Sequence, residues 1–241
     1  SCNEWLDVNT DPNNPTEVPA DLVLPNAQMQ IAGSVGGDYA ILGGIWSQHW
    51  TQSHIASQYK DIDSYDLTDK DFEIDWSELY SDALVDLAEI KTKSSAAGEW
   101  NSYLQATCLE AYTYQILADL YDKVPCKEAV QGSANLTPKF DNGEAIYDEL
   151  FTRINAALAK DFNAATVVKV TSDLIFGSQD KSGQIDSWKR FANTLKLKML
   201  LRQTESSRAA DATQKINNML SSGTAFLTGH AAISIFIDEA N

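Results

Sequence analysis

Aromatic and amide side chains crowd into one short stretch. Between residues 46 and 65 lie Trp46, Trp50, Tyr59 and Tyr65, together with His54 and the amides of Gln48, Gln52 and Gln58. Sugar rings have apolar faces that stack on aromatic rings, and their hydroxyls need fixed amide, hydroxyl or imidazole partners. This set is the best local candidate for a ligand surface. Two readings stay open for Trp46 and Trp50, because helical spacing suits a buried stripe as well as a binding face. His54, Tyr59 and Tyr65 stand in a polar context that admits surface contact.

Bond-making chemistry has much less to work with. The three histidines are His49, His54 and His230. His49 and His54 are five apart, not the four that would let one helix face hold zinc. There is no nucleophile elbow of G-x-S-x-G type, no P-loop, no G-x-G-x-x-G and no CxxC, so each of those reaction classes loses its signature. Carboxylate pairs such as Asp71 with Asp75 and Asp82 with Asp86 could in principle serve a glycosidase, but acidic helices generate such pairs by default. Asp82, Asp86 and Glu89 read as a solvated face. Asp7, Asn9, Asp11 and Asn13 alternate as in a calcium loop, yet Pro12 stands where glycine is needed and Val18 where the final glutamate belongs. The turn Asp61–Asp66 lacks the glycine too, with Phe72 in the last ligand's place. No catalytic residue, metal or cofactor is assigned.

With 44% apolar and 10% aromatic residues, the 241-residue chain can bury a real core. Eighteen basic against 34 acidic residues give a net charge of -16, which repels phosphate backbones and argues against a nucleic-acid partner. No run approaches the roughly 20 apolar residues of a spanning helix. Three cysteines make no disulfide framework. Cys108 falls on an apolar helical stripe and reads as a small buried hydrophobe. A bridge to Cys126 would need the loop beyond the helix to fold back. Cys2, after a small residue and before a polar segment, has the form of a processed bacterial lipoprotein start, the alternative being an incidental terminal cysteine.

These residues need a scaffold, and its centre is the run from Tyr103 to Pro125. Leu104, Cys108, Ala111, Tyr112 and Gln115 share one helical stripe, while Tyr103, Ala106, Tyr114, Leu117 and Leu120 add a second apolar face. Such a helix has neighbours on both flanks. It stops ahead of Pro125, and a loop from Cys126 to Phe140 follows. Upstream, the pattern predicts an extended segment rich in Asn, Asp and Pro over 1–17, a helix from Pro19 to about Ser34, and another from Asp38 to Ser53 carrying Trp46 and Trp50 one turn apart. The Gly43–Gly44 pair in that helix admits a close backbone approach. A third helix starts near Phe72 and includes Trp76, Leu79, Ala83, Leu87 and Ile90; Lys91 to Gly98 then connects it to the central helix as an αα-hairpin. Glu144 to Asp161 and Asp186 to Thr204 predict a second hairpin across a long polar loop. A last helix spans Arg208 to Leu220, followed by an alternating, extended segment from Ala231 to Ile237. The fold class is all-α, a tetratricopeptide-like stack of antiparallel helical hairpins over 18–241 with an extended N-terminal tether.

Five blocks resemble one family. ADLYDKVPCKEAVQG with ANLTPKFD, EAIYDELFTRINAALA, LGGIWSQHWTQ, WKRFANTLKLKMLLR and the opening SCNEWLDVNTDPNNPTEVPADLVLPNAQ are similar, in order, to the SusD/RagB nutrient-binding lipoproteins. Cys126 departs from the pattern, where an aromatic is expected. The resemblance implies a helical, tetratricopeptide-like fold, lipidation at Cys2, an outer-membrane cell-surface location, and capture of a glycan or peptide for a SusC-like TonB-dependent transporter. It also implies that this chain is the N-terminal part of a longer one. The alternatives are a helical-repeat scaffold whose only ligand is another protein, and a glycoside hydrolase.

Overall fold

A computed structural model describes residues 20–68 and 70–233. The tether over 1–17, with Cys2 and the Asp7–Asn13 alternation, lies outside the described residues, as does the chain from 234 onward.

The central helix is α6, Trp100–Tyr121, and it touches α1 (Ala20–Gly36), α5 (Leu84–Ala97), α7 (Gly143–Leu158) and α8 (Lys181–Leu201). Leu104, Ala106, Cys108, Ala111, Tyr114 and Leu117 are all fully buried, as expected of a helix flanked on two sides. Leu120 is the exception on the second face and is exposed. α6 is also polar inside. Glu110 is buried between Lys91 of α5, 2.6 Å away, and Arg153 of α7, 3.1 Å away, so three neighbouring helices share one ion triad.

α5 and α6 form the expected hairpin, but its turn is tighter than the sequence implies. α5 runs to Ala97, and Gly98, at φ +68°, closes it in the left-handed conformation that glycine tolerates. The Glu99 carboxylate then accepts from the Asn101 and Ser102 amides and caps α6. Ahead of α5, helix α4 (Glu73–Ser77) passes through a π-helical turn at Glu78–Ala83. α6 ends at Tyr121, before Pro125, because Lys123–Pro125 leaves as strand β1 to pair antiparallel with β2, Phe140–Asn142. The predicted Cys126–Phe140 loop is thus the tip of a small hairpin between α6 and α7.

α8 begins at Lys181, not Asp186, because the Asp180 carboxylate accepts from the Gly183 amide and caps the helix earlier. The long connection before it is pinned to the core. Asp173, buried, accepts from Gln28 (2.8 Å), Gln184 (3.0 Å) and the Trp188 indole (2.8 Å), and from its own Ile175 amide (2.9 Å). α8 packs on α6, α7 and α9 (Ala209–Ser221), and Ala231–Ile233 is irregular. The body is an all-α stack of antiparallel helical hairpins. Cys108 and Cys126 are both buried and unbridged.

Candidate functional site

Helix α2, Asp38–Trp46, is shorter than predicted, and the reason shapes the candidate site. Gln48 takes a left-handed φ of 60°, and the His49 and Trp50 amides both turn back onto the Gly44 carbonyl, each at 3.0 Å. Trp50 is therefore not one helical turn beyond Trp46. Its indole folds over α2 at Gly44, where a Cβ would meet the ring at 2.3 Å. The glycine admits a side chain here, not a second backbone.

Trp46 is 43% exposed, Trp50 56% and Tyr65 60%, so the two tryptophans are not part of a buried stripe. Trp46 and Tyr65 lie with ring centroids 5.4 Å apart, a contact that contributes about 1 kcal/mol. The Trp46 indole N–H donates to the Ile62 carbonyl at 3.0 Å and fixes the ring's edge. Tyr65 itself holds φ at 59°. A bulky residue there is strained by about 1–3 kcal/mol, the kind of departure that gathers at ligand sites. Short helix α3, Lys60–Asp63, lies between, and the Asp63 carboxylate accepts from the Thr51 hydroxyl and the Gln52 amide.

The remaining predicted residues are placed differently. Tyr59 is half-buried, its amide held by the Gln52 side chain at 3.0 Å and its hydroxyl accepting from Gln58 at 2.9 Å. His54 is exposed on the same loop, beside the exposed Ile55. The structure thus brings Trp46 and Tyr65 into contact, sets Trp50 over the same helix, and leaves His54 and Tyr59 on the loop without aromatic contact to them.

A second aromatic group went unread in the sequence. Phe72, Trp76 and Tyr121, with Thr68, Lys70 and Glu73, line a cleft of about 390 Å³. Trp76 meets Tyr121 edge-on at 5.1 Å and lies 4.6 Å from Tyr80, whose hydroxyl donates to the Pro125 carbonyl at 2.7 Å. Tyr39 of α2 packs on Phe72 at 5.9 Å and shares a 3.2 Å hydroxyl contact with Tyr121. The i, i+4 spacing of Phe72 and Trp76 was visible, but it reads as core; only Tyr121, arriving from α6, makes it a cleft wall.

The carboxylates near these rings are structural. The Asp71 carboxylate accepts from the Thr68 amide and hydroxyl, which hold it below the usual carboxylate range. Asp75 is buried, one of its oxygens has no hydrogen-bond partner, and burial, with Asp38 and Glu78 adding repulsion, raises its pKa. Asp86 accepts from Asn26 at 2.7 Å rather than standing free in solvent. Among the described residues no His, Cys, Asp and Glu cluster could hold a metal ion. A larger cavity of about 500 Å³ lies by α6, α7 and the 202–208 segment. Its ions satisfy one another: Arg202 pairs with Asp119 at 2.6 Å, and Arg208 grips Asp148 through two nitrogens. The exposed rings of the 46–65 region are the freer recognition surface.

Two solved structures share this architecture. A SusD-like protein, AC2a, of Bacteroidetes aligns with a TM-score of 0.67 and 23% identity over 88% of this chain and 38% of that one. A SusD-like protein from Bacteroides thetaiotaomicron aligns with a TM-score of 0.62 and 21% identity over 84% of this chain and 42% of that one. At these identities the likeness shows the fold, and the chain spans about two fifths of either relative. No curated protein matches. A family model described as "Starch-binding associating with outer membrane" matches residues 12–237; with nearly the whole sequence accounted for, and the helical stack shared with two solved SusD-like proteins, the chain belongs to the SusD-like family.

Proposed function

We propose that this chain is the aromatic-bearing part of a cell-surface protein that captures nutrient oligosaccharides, with glycan favoured over peptide, and delivers them to a SusC-like TonB-dependent transporter in the outer membrane. The observation that carries this reading is the exposed group Trp46, Trp50 and Tyr65, held rigidly on α2 and its loop. Rings held in place lose little entropy when a sugar stacks on them. Starch is the first candidate ligand because the family description names it. A lipid on Cys2 would hold the protein at the membrane, and tethering beside a channel raises the cargo's effective concentration there.

Capture needs no bond cleavage, and of the nearby carboxylates Asp71 is committed to its Thr68 partners and Asp75 is buried. Two experiments test the proposal. Affinity electrophoresis of the full-length protein through starch, other glucans and mannan should show retardation in at least one gel, and recovered glycan should be uncut; free migration in all of them, or shortened products, would count against it. Cys2→Ala should move the protein from the membrane fraction to the soluble fraction, and unchanged fractionation would argue for another anchor.

A further inference from the structure

We propose that the β1–β2 hairpin rests its tip on the anionic surface of a lipid bilayer; the proposal stands on the hairpin alone and is independent of the glycan-capture reading. Two large apolar side chains are left out of the core there, Leu136 at 81% exposure and Phe140 at 63%. The base of the same hairpin is buried through Val124, Cys126 and Ala129. Internal bonds hold the tip in shape. The Asp141 carboxylate accepts from the Cys126 and Lys127 amides at 3.2 and 2.9 Å, and Arg153 of α7 donates to the Cys126 carbonyl at 3.4 Å. Farther out, the Glu128 carboxylate accepts from the Lys139 amide at 3.3 Å and from the Asn135 side chain at 3.4 Å. A tip fixed in this way loses little entropy on docking.

Charge selects the partner. Between residues 123 and 140 the chain carries Lys123, Lys127 and Lys139 against Glu128 alone, in a protein of net charge -16. Lys123 and Lys127 are exposed, as is the Lys139 side chain at 84%, while Glu128 is taken up by the bonds just named. In the antiparallel register Pro125 faces Phe140 and Lys123 faces Asn142. Phe140 and Lys123 therefore share one face of the ribbon, with the buried Val124 on the other. Leucine and phenylalanine beside lysines make an interfacial composition: apolar side chains enter the acyl boundary while ammonium groups meet lipid phosphates. Protein interfaces are instead depleted in lysine, and two side chains fall short of the roughly 800 Å² per partner that a stable one buries. The acidic remainder of the surface does not prevent approach, because charges more than about 8–10 Å from the bilayer are screened at physiological salt. Two side chains make a weak anchor, so the contact orients a tethered protein rather than holding it.

Vesicle flotation of the full-length protein carrying Cys2→Ala reads this contact without any lipid on the chain. The probes are phosphatidylglycerol vesicles and, in parallel, phosphatidylcholine vesicles, each over a range of lipid concentration. Partitioning should be stronger on phosphatidylglycerol and should fall as salt rises. Leu136→Asn and Phe140→Ser should each weaken it about tenfold. Lys123→Gln and Lys127→Gln should each weaken it about fivefold on phosphatidylglycerol and leave phosphatidylcholine unchanged. The lysine variants alter exposed side chains only, so their result stands even where Phe140→Ser loosens the ribbon. No partitioning, equal partitioning on the two lipids, or variants that match the parent would overturn the proposal. So would self-association in light scattering that Leu136→Asn abolishes while lipid preference is absent, since the hairpin would then join two copies of the chain. Retardation in glycan gels should be the same for every hairpin variant, so a negative vesicle result leaves glycan capture in place.

Discussion

Gly44→Ala separates two opposed effects that the structure places on one atom. Gly44 lies inside α2 and its φ is not positive, so alanine suits the backbone and should stabilise the helix by about 1 kcal/mol. The new methyl, however, would sit 2.3 Å from Cε3 and 2.7 Å from Cδ2 of Trp50, far inside contact distance. The indole must leave. Trp50 is 56% exposed, so of the roughly 250 Å² an indole side chain can bury it covers about 100 Å², a contribution of about 2.5 kcal/mol at 25 cal/mol per Å². Losing most of that outweighs the helix gain and leaves a net destabilisation of about 1 kcal/mol, a fall in Tm of about 2–4 °C for a chain of this size. Glycan affinity should drop about tenfold, since a displaced ring cannot stack. Thermal denaturation and affinity electrophoresis on the same sample check both. A rise in Tm with unchanged glycan retention would refute the reasoning, because that is what alanine gives when no ring covers Gly44.

Three further outcomes follow from other parts of the fold. Asp173→Ala removes the acceptor shared by Gln28, Gln184 and Trp188 and should cost about 3 kcal/mol, seen as a Tm lower by about 10 °C; an unchanged Tm would mean the 159–180 connection is not pinned there. Asp75 titrates above its ordinary range because it is buried near Asp38 and Glu78, so between its ordinary and raised pKa values the native state binds the extra proton and stability falls as pH rises. Asp75→Asn should therefore raise Tm at neutral pH, with the gain shrinking as pH drops from the raised value toward the ordinary carboxylate range, and a gain of equal size at all pH values would contradict the assignment. Burial pushes the Cys126 thiol up to about 12 and the Cys108 thiol higher, so at pH 8 peptides carrying either residue should resist iodoacetamide in the native protein and react in guanidinium; fast native modification at Cys126 would show it is open to solvent.

The parts of the fold that could be read were those written in local periodicity. α6 announced itself through two apolar faces, and the α5–α6 and α7–α8 pairs through spacing and turn residues. What escaped depended on partners far along the chain. Glu110 looks like a surface acid within its own helix, and only Lys91 and Arg153 from α5 and α7 make its burial tolerable. The start of α8 was misplaced because Gly183 reads as a breaker, whereas Asp180 caps across it. At the candidate site, composition singled out the 46–65 stretch, and helical periodicity assigned it the wrong geometry. Helical periodicity carried Trp50 along α2, while the left-handed Gln48 and the open face of Gly44 fold it back. The Phe72–Trp76–Tyr121 cleft could not be assembled from sequence, since Tyr121 lies 45 residues beyond Trp76 and meets it only through packing.

The central claim is that a rigid helical stack displays aromatic rings that hold an oligosaccharide and leave its bonds intact. A crystal structure of the full-length protein grown with a long maltooligosaccharide tests it most directly. The account predicts sugar rings lying flat on Trp46 and Trp50 and every glycosidic bond unbroken; a ligand seated elsewhere with these rings bare, or cleaved beside a pair of carboxylates, would contradict it.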